Sequence, residues 1–285
     1  MNGQSPSASG PKKERNGELI LVGMGLWDHN GVSLSGLEVA KTADAVYAEL
    51  YTSIMPALDL NQMERIIGKS ITVLKRKDLE EDVDNKLLKS AQEKRVVLFV
   101  PGDPLAATTH VSLRLRAYEL GVKTHVVHAA SIFSVAASIT GLQHYKFGKA
   151  VTISIPREGY FPMSPYGVVS DNLSRGLHTL LLLDLDVERL KYLSISEALK
   201  LLVKMEKAKG MKVFTDDRLM VGLARIGSPE PIIRCDSIKR LGELNFGSPP
   251  HTLIVPGTLH FMEAESLVKL FGAPPSISSR KSIVD

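Results

Sequence analysis

From residue 18 onward, short apolar runs alternate with stretches that carry apolar side chains at helical spacing. This alternation confines the chain to an α/β architecture whose first sheet is largely parallel. ELILVGM opens as a buried strand, SLSGLEVAKTA follows as a helix with Leu34, Leu37 and Ala40/Lys41 at helical spacing, and DAVYAE and SITVL are further strands. EEDVDNKLLKSAQEK predicts a polar-faced helix, and RVVLFV, apolar throughout, a strand buried on both faces. VSLRLRAYELG closes on Gly121 as a helix C-terminus, ahead of the strand VKTHVVH and the small-residue helix SIFSVAASITG. Around LQHYKFGK, residues 142–149, the rhythm resets, which predicts one α/β domain over 18–146 and a second over 147–275. Beyond it come AVTISI, YGVVSDNLSRG and HTLLLLDLD, then a helix marked by the capping box Ser194/Glu197 and ending at Gly210. RLMVGLARIG, PIIRCD and HTLIVPG are closely spaced strands, so the second half is the richer in hairpins, and MEAESLVKLFG is the last helix.

Three loops follow strands of the first half. In GMGLWD, Gly23 and Gly25 permit a tight turn, but Asp28 stands where a dinucleotide loop needs its third glycine, and the helix does not start before Ser33. Glu49 lies where a ribose-binding acid would sit, so one of the three dinucleotide requirements is met. A carboxylate beside the turn repels phosphate and suits an uncharged or cationic ligand. In VPGDPLAATTH, Asp103 followed by Pro104 predicts a helix N-cap with proline at the first helical position. In HAASIFS, Ser131 caps the next helix and leaves backbone N–H groups free. In open α/β sheets ligands collect at the carboxyl ends of the strands, so the three loops should converge on one crevice.

Other chemistries find little support. The histidines show no H-E-x-x-H, and His125 and His128, on one strand run, point to opposite faces, so no metal site is expected. Neither a G-x-S-x-G elbow nor a G-x-x-x-x-G-K-[ST] loop is present. The lone Cys235 rules out an internal disulfide framework, reads as a small buried hydrophobe, and leaves the cytoplasm as the expected setting. Of the formal charge of +4, residues 1–17 hold +2 and residues 276–285 hold +1, so the body is near neutral and a nucleic-acid groove is not expected. Residues 1–17, without an apolar core of a secretory signal, read as a disordered arm, and 276–285 as a loose tail. No apolar run is long enough to span a membrane.

Taken together, Gly23-x-Gly25 with Asp28, SLSGLEVAKTADAV and VPGDPLAATTH resemble the tetrapyrrole methylase superfamily, and the long form of the second motif resembles its diphthine synthase family. AELYTS (48–53), HAASI (128–132), GLQHYKFGK (141–149), GLHTLLLLDLD (176–186), TDDRLMVGLARIGS (215–228) and PPHTLIVPGTLH (249–260) continue the likeness over residues 18–272. The lack of a long insertion between residues 186 and 194 resembles the archaeal form. The resemblance implies two α/β domains with S-adenosyl-L-methionine in the cleft between them, S-adenosyl-L-homocysteine as product, and a homodimer. It implies N-methylation, three methyls in the archaeal form, of a 3-amino-3-carboxypropyl-histidine on translation elongation factor 2, the protein substrate. The family's donor contacts fall on Leu26, Asp103, Ala106, Ser131, Ile132, Leu183, Ile226 and His251. Two departures stand out: Ala130 where the family often has proline, and the N-terminal arm. No catalytic base is nominated, because a neutral amine can lose its proton to water after attack. Tyr160 and Phe161 are candidates for cation–π contact with a trimethylammonium product, against the simpler role of packing the domain interface. Rival readings are another methylase of the superfamily acting on a corrinoid or ribosomal RNA, a dinucleotide-dependent oxidoreductase, and a non-catalytic binding module.

Overall fold

Arg95–Val100, the run RVVLFV, is the middle strand of a five-stranded sheet, and every side chain after Arg95 is buried. Successive side chains of a strand leave opposite faces, so Val96, Leu98 and Val100 join one apolar cluster and Val97 and Phe99 another. Its neighbour divides in the same way, Leu19 and Leu21 to the first cluster, Ile20 and Val22 to the second. Both faces are therefore covered, which is why these runs show no polar alternation. Truncating Phe99 to alanine in such a setting costs about 3–5 kcal/mol.

The structure, a computed structural model, describes residues 17–187 and 189–278. Residues 1–16 of the expected arm and 279–285 of the expected tail lie outside the described residues. The first sheet contains β1 (Glu18–Gly23), β2 (Ala45–Glu49), β3 (Ile71–Leu74), β4 (Arg95–Val100) and β5 (Lys123–Val127), in the order β3-β2-β4-β1-β5 and all parallel. Its helices are α1 (Leu34–Thr42), α2 (Leu60–Ile67), α3 (Arg76–Glu80), α4 (Lys89–Glu93), α5 (Val111–Glu119) and α6 (Ile132–Thr140).

The second half contains β6 (Val151–Ile153), β7 (Thr179–Leu183), β8 (Leu185–Asp186), β9 (Lys191–Tyr192), β10 (Leu219–Ala224), β11 (Ile232–Ser237) and β12 (His251–Val255). Its five-stranded sheet runs β11-β10-β12-β7-β6, with β6 and β7 parallel and the other pairs antiparallel. Around it lie α7 (Ser164–Ser174), α8 (Ile195–Lys209), α9 (Ile238–Glu243) and α10 (Phe261–Phe271). The α8 capping box forms as the sequence predicts: Ser194 Oγ accepts from the Glu197 N–H and Glu197 Oε2 from the Ser194 N–H. Gly210 then ends the helix in the left-handed region at φ +68°. Ile195, Ala198, Leu199, Leu202 and Met205 form the buried stripe of α8. Cys235 is buried as expected, and desolvation pushes its thiol up to about 12, so it is inert at neutral pH.

One local expectation differs in part, and two helices went unread. The polar helix predicted over EEDVDNKLLKSAQEK forms only from Asp84 to Glu93, four residues late. α3 ends at Glu80, and a π-turn over Asp84–Leu88 leads into α4. Short carboxylates compete for the local donors, since Asp78 accepts the Lys75 N–H and pairs with Lys86 while Asp82 takes the Asn85 amide. α2 and α9, which the sequence reading did not place, bury Met63 and Ile67, and Ile238 and Leu241.

The segment that joins the halves is bolted down by Glu263 of α10, which has no solvent exposure. Its carboxylate accepts from the Gln143 N–H (2.8 Å), the His260 N–H (2.7 Å), Lys146 Nζ and His178 Nε2 (3.0 Å). His178 Nδ1 accepts from the Gly257 N–H at 2.8 Å, so the ring carries its hydrogen on Nε2 toward Glu263.

Candidate active site

The loops after β1 and β4 are clipped together by backbone. Gly25 N–H donates to Gly102 O (3.2 Å) and Gly102 N–H to Gly25 O (2.7 Å), both residues at positive φ, +77° and +69°. Only glycine adopts that conformation without strain. Gly23 matters for space: a Cβ there would lie 2.6 Å from Gly102 O, 2.7 Å from Ala129 Cβ and 3.0 Å from Pro104 Cδ, touching both other loops. The glycine turn thus holds the second loop, and the third closes over it. Gly23→Ala is expected to destabilise the fold by roughly 1–3 kcal/mol through this overpacking. A urea midpoint equal to wild type would contradict the close approach.

Asp103 does not cap a helix. α5 begins only at Val111 with His110 at its N-cap position, and between them Ala107 takes a left-handed φ of +58°, which no helical turn accommodates. Asp103 Oδ1 instead accepts from the Leu105 N–H (3.0 Å), and Oδ2 meets His128 Nδ1 (2.7 Å) and the Ala129 N–H (3.4 Å). β5 stops at Val127, so His128 has left the strand and joins this cluster, while His125 faces Glu18 at 3.3 Å. Burial works to raise the Asp103 carboxyl, but the Leu105, His128 and Ala129 hydrogen bonds outweigh it and hold it below its ordinary value, leaving it ionised at neutral pH. Ser131 does cap α6, accepting from the Phe133 N–H at 3.3 Å.

These loops wall one cleft of about 360 Å³ between the two sheets. Leu26, Asp103, Ala106, Ser131 and Ile132 line it from the first half, and Leu183, Ile226 and His251 from the second. All eight residues marked in the sequence are therefore in one place. His251 is 8% exposed, its Nδ1 accepts from the Ile195 N–H at 3.3 Å, and its Nε2 has no hydrogen-bond partner among the described residues. Desolvation pushes the imidazole below its ordinary value, so the ring is neutral with its hydrogen on the orphaned Nε2. A buried donor of this kind costs about 1–3 kcal/mol unless something accepts from it.

A model of the tetrapyrrole (corrin/porphyrin) methylases matches residues 18–234. The chain belongs to the tetrapyrrole methylase family. Among its relatives, the diphthine synthase of Methanococcoides burtonii is 44% identical over 264 residues, covering 91% of this chain and 98% of the relative. That of Methanothermobacter thermautotrophicus is 42% identical over 262 residues, covering 92% and 98%. A crystal structure of diphthine synthase superposes with a TM-score of 0.83 at 39% identity, covering 91% of this chain and 98% of that one. The chain is thus a tetrapyrrole methylase of the diphthine synthase branch, a methyltransferase with the two-domain fold of that family. The oxidoreductase and non-catalytic readings are set aside.

Within this methylase cleft the sequence missed one charged corner. Arg76 and Glu80 of α3 line the cleft, as does Tyr51, yet RKDLEED reads in sequence as ordinary solvated surface. Glu49 is fully buried and unavailable to a ribose, for it accepts the N–H groups of Tyr51 and Thr52, each at 3.1 Å, and the Thr52 hydroxyl. It lies 3.8 Å from Nε2 of the equally buried His110, and desolvation raises the carboxyl and lowers the imidazole. Tyr160 and Phe161 do not line the cleft. Tyr160 is exposed, and Phe161 packs on the apolar core of the second half, around Ile153, Leu202 and Phe214, with Lys204 Nζ 4.7 Å above its ring, so neither can stabilise a product there. Among the described residues no group of three or more His, Cys, Asp or Glu is arranged for a metal, and no helix is long and apolar enough to cross a membrane.

Proposed function

We propose that this methylase binds S-adenosyl-L-methionine in the cleft and is a diphthine synthase, methylating the amino nitrogen of a 3-amino-3-carboxypropyl chain on a histidine of translation elongation factor 2. The observation that carries the reading is the orphaned Nε2–H of His251, a buried donor in a cleft whose other marked residues suit the donor molecule. Leu26, Ile132, Leu183 and Ile226 offer apolar walls to an adenosine, and Ala106 leaves room beside them. Ionised Asp103 offers a remaining lone pair to a cationic ligand, because the chain's own groups use only part of a carboxylate's capacity.

When bound, the donor supplies a methyl group activated on a sulfonium. The acceptor nitrogen's lone pair forms the new C–N bond as the C–S bond breaks, the sulfur keeps the bonding pair, and the nitrogen releases a proton to water before the next round. The third transfer leaves a fixed trimethylammonium. The protein's part is alignment in line and exclusion of water, and a general base is not required. S-adenosyl-L-homocysteine as product, a homodimer, a cytoplasmic setting and a domain boundary after Lys146 belong to the same reading.

The test is mass spectrometry of elongation factor 2 bearing the 3-amino-3-carboxypropyl group after incubation with the protein and S-adenosyl-L-methionine. Three added methyls on the modified histidine are expected, and a fourth would indicate a methyl ester. No addition by a protein that binds S-adenosyl-L-homocysteine in a calorimeter would refute the substrate assignment and leave the donor site standing.

A further inference from the structure

The proposed acceptor arm carries two charged groups, the amine that is methylated and a carboxylate that is not. Through three transfers the nitrogen changes from a neutral amine to a fixed cation, so any hydrogen bond made to it is lost on the way. The carboxylate keeps its charge and shape in every round. It is the group by which one site can present the same arm three times, and its natural partner is an arginine, whose planar fork matches a carboxylate.

Among the described residues Arg76 is the one lysine or arginine lining the cleft, whose other charged walls are Glu80, Asp103 and Asp184. An acidic lining attracts the sulfonium and the trimethylammonium but repels a carboxylate everywhere except at Arg76. Arg76 opens α3 just beyond the carboxyl end of β3, on the side of the parallel sheet where ligands collect. Its guanidinium carbon stands 5.0 Å from the centroid of the Tyr51 ring, and Nη1 is 3.4 Å from Glu80 Oε1. Tyr51 is itself fixed, because buried Glu49 accepts its backbone N–H. The Arg76 side chain lines the cleft and keeps 52% exposure, so a ligand arriving from solvent can reach it.

We propose that Arg76 grips the carboxylate of the acceptor arm, with the Tyr51 ring and Glu80 as positioning groups that aim its guanidinium. This rests on the acceptor named above, and it gives α3 a place in substrate choice. An acceptor lacking the carboxylate is a poor substrate because it forfeits its ion pair with the guanidinium, and no other lysine or arginine among the described residues lines the cleft.

The experiment compares wild type, Arg76→Gln and Arg76→Lys in the full chain. Two probes are used: elongation factor 2 bearing the 3-amino-3-carboxypropyl-histidine, and the same protein bearing a 3-aminopropyl arm. For Arg76→Gln we expect the affinity for S-adenosyl-L-homocysteine to stay within about twofold and KM for the first probe to rise roughly ten- to a hundredfold, the loss of a charge-assisted hydrogen bond. Partly methylated products should accumulate, and Arg76→Lys should recover part of the loss. On the 3-aminopropyl probe, wild type and Arg76→Gln should perform alike. An unchanged KM overturns the assignment, and so does a variant that still prefers the carboxylate-bearing arm as strongly as wild type does. A donor affinity weakened tenfold also overturns it and moves Arg76 to the donor's own carboxylate. Failure of wild type to modify the first probe while it binds S-adenosyl-L-homocysteine overturns the acceptor reading itself, and the assignment falls with it.

Discussion

Glu263→Ala should lower the unfolding free energy by about 3–5 kcal/mol, the cost of removing one partner from a buried ionic cluster. The carboxylate has no exposure, and its loss strands the N–H groups of Gln143 and His260 together with His178 Nε2, while Lys146 keeps only Thr258 O at 2.7 Å. The cluster also imposes a pH dependence. Burial works to raise the carboxyl, but the hydrogen bonds from His178, Lys146, Gln143 and His260 bring it from an ordinary 4.5 down to about 2. A folded-state value below the unfolded one means that the stabilisation is complete above about pH 4.5 and is lost as the pH falls from there through about 2. Its size is on the order of 3 kcal/mol. Urea titrations of wild type at pH 7 and pH 3 should show the larger part of this loss, about 2 kcal/mol, and the same pair on Glu263→Ala should lack that component. Equal stability of the two proteins at pH 7 would mean that the segment around Lys146 is held by its apolar contacts alone.

The sequence exposes features of this molecule that depend on neighbours in the chain, and hides those that depend on distant ones. Strands β1 and β4 are apolar on both faces, so a run of letters suffices to mark them, and the Ser194 box and Gly210 bracket α8 by chemistry within one turn. α2 escapes because it buries two side chains in two turns, although Asp59 capping the Gln62 N–H and Gly68 at φ +70° are both signals a closer reading could use. The cleft was legible in outline, since three loops at parallel strand ends must meet. The role of Asp103 was not. Asp-Pro is a strong local cap signal, but His128 and Ala129, twenty-five residues and more along the chain, take up the carboxylate and the helix starts late. Arg76 was invisible for the same reason: its neighbours in the cleft wall include Tyr51, twenty-five residues back, and in sequence it is one of several charges in a polar stretch.

Asp103→Ala should weaken binding of S-adenosyl-L-homocysteine by roughly ten- to a hundredfold, about 1.5–3 kcal/mol for a hydrogen bond to an ionised group. Two effects contribute, and variants separate them. In the proposed binding mode the carboxylate would face the ligand directly, and it also ties the loop after β4 to the loop after β5 through Leu105, His128 and Ala129. His128→Ala removes part of the tie and leaves the charge, so it should cost only a few-fold in affinity if the direct contact dominates. Asp103→Asn keeps the shape and one acceptor oxygen but loses the charge, and it should bind nearly as weakly as Asp103→Ala. The reverse ranking would assign Asp103 a purely architectural part. Since the carboxyl is held below its ordinary 3.8, affinity should be independent of Asp103 titration from pH 5 upward. Calorimetric titration of the three variants against wild type decides between the two roles, and a wild-type affinity in Asp103→Ala would remove the carboxylate from the donor site altogether.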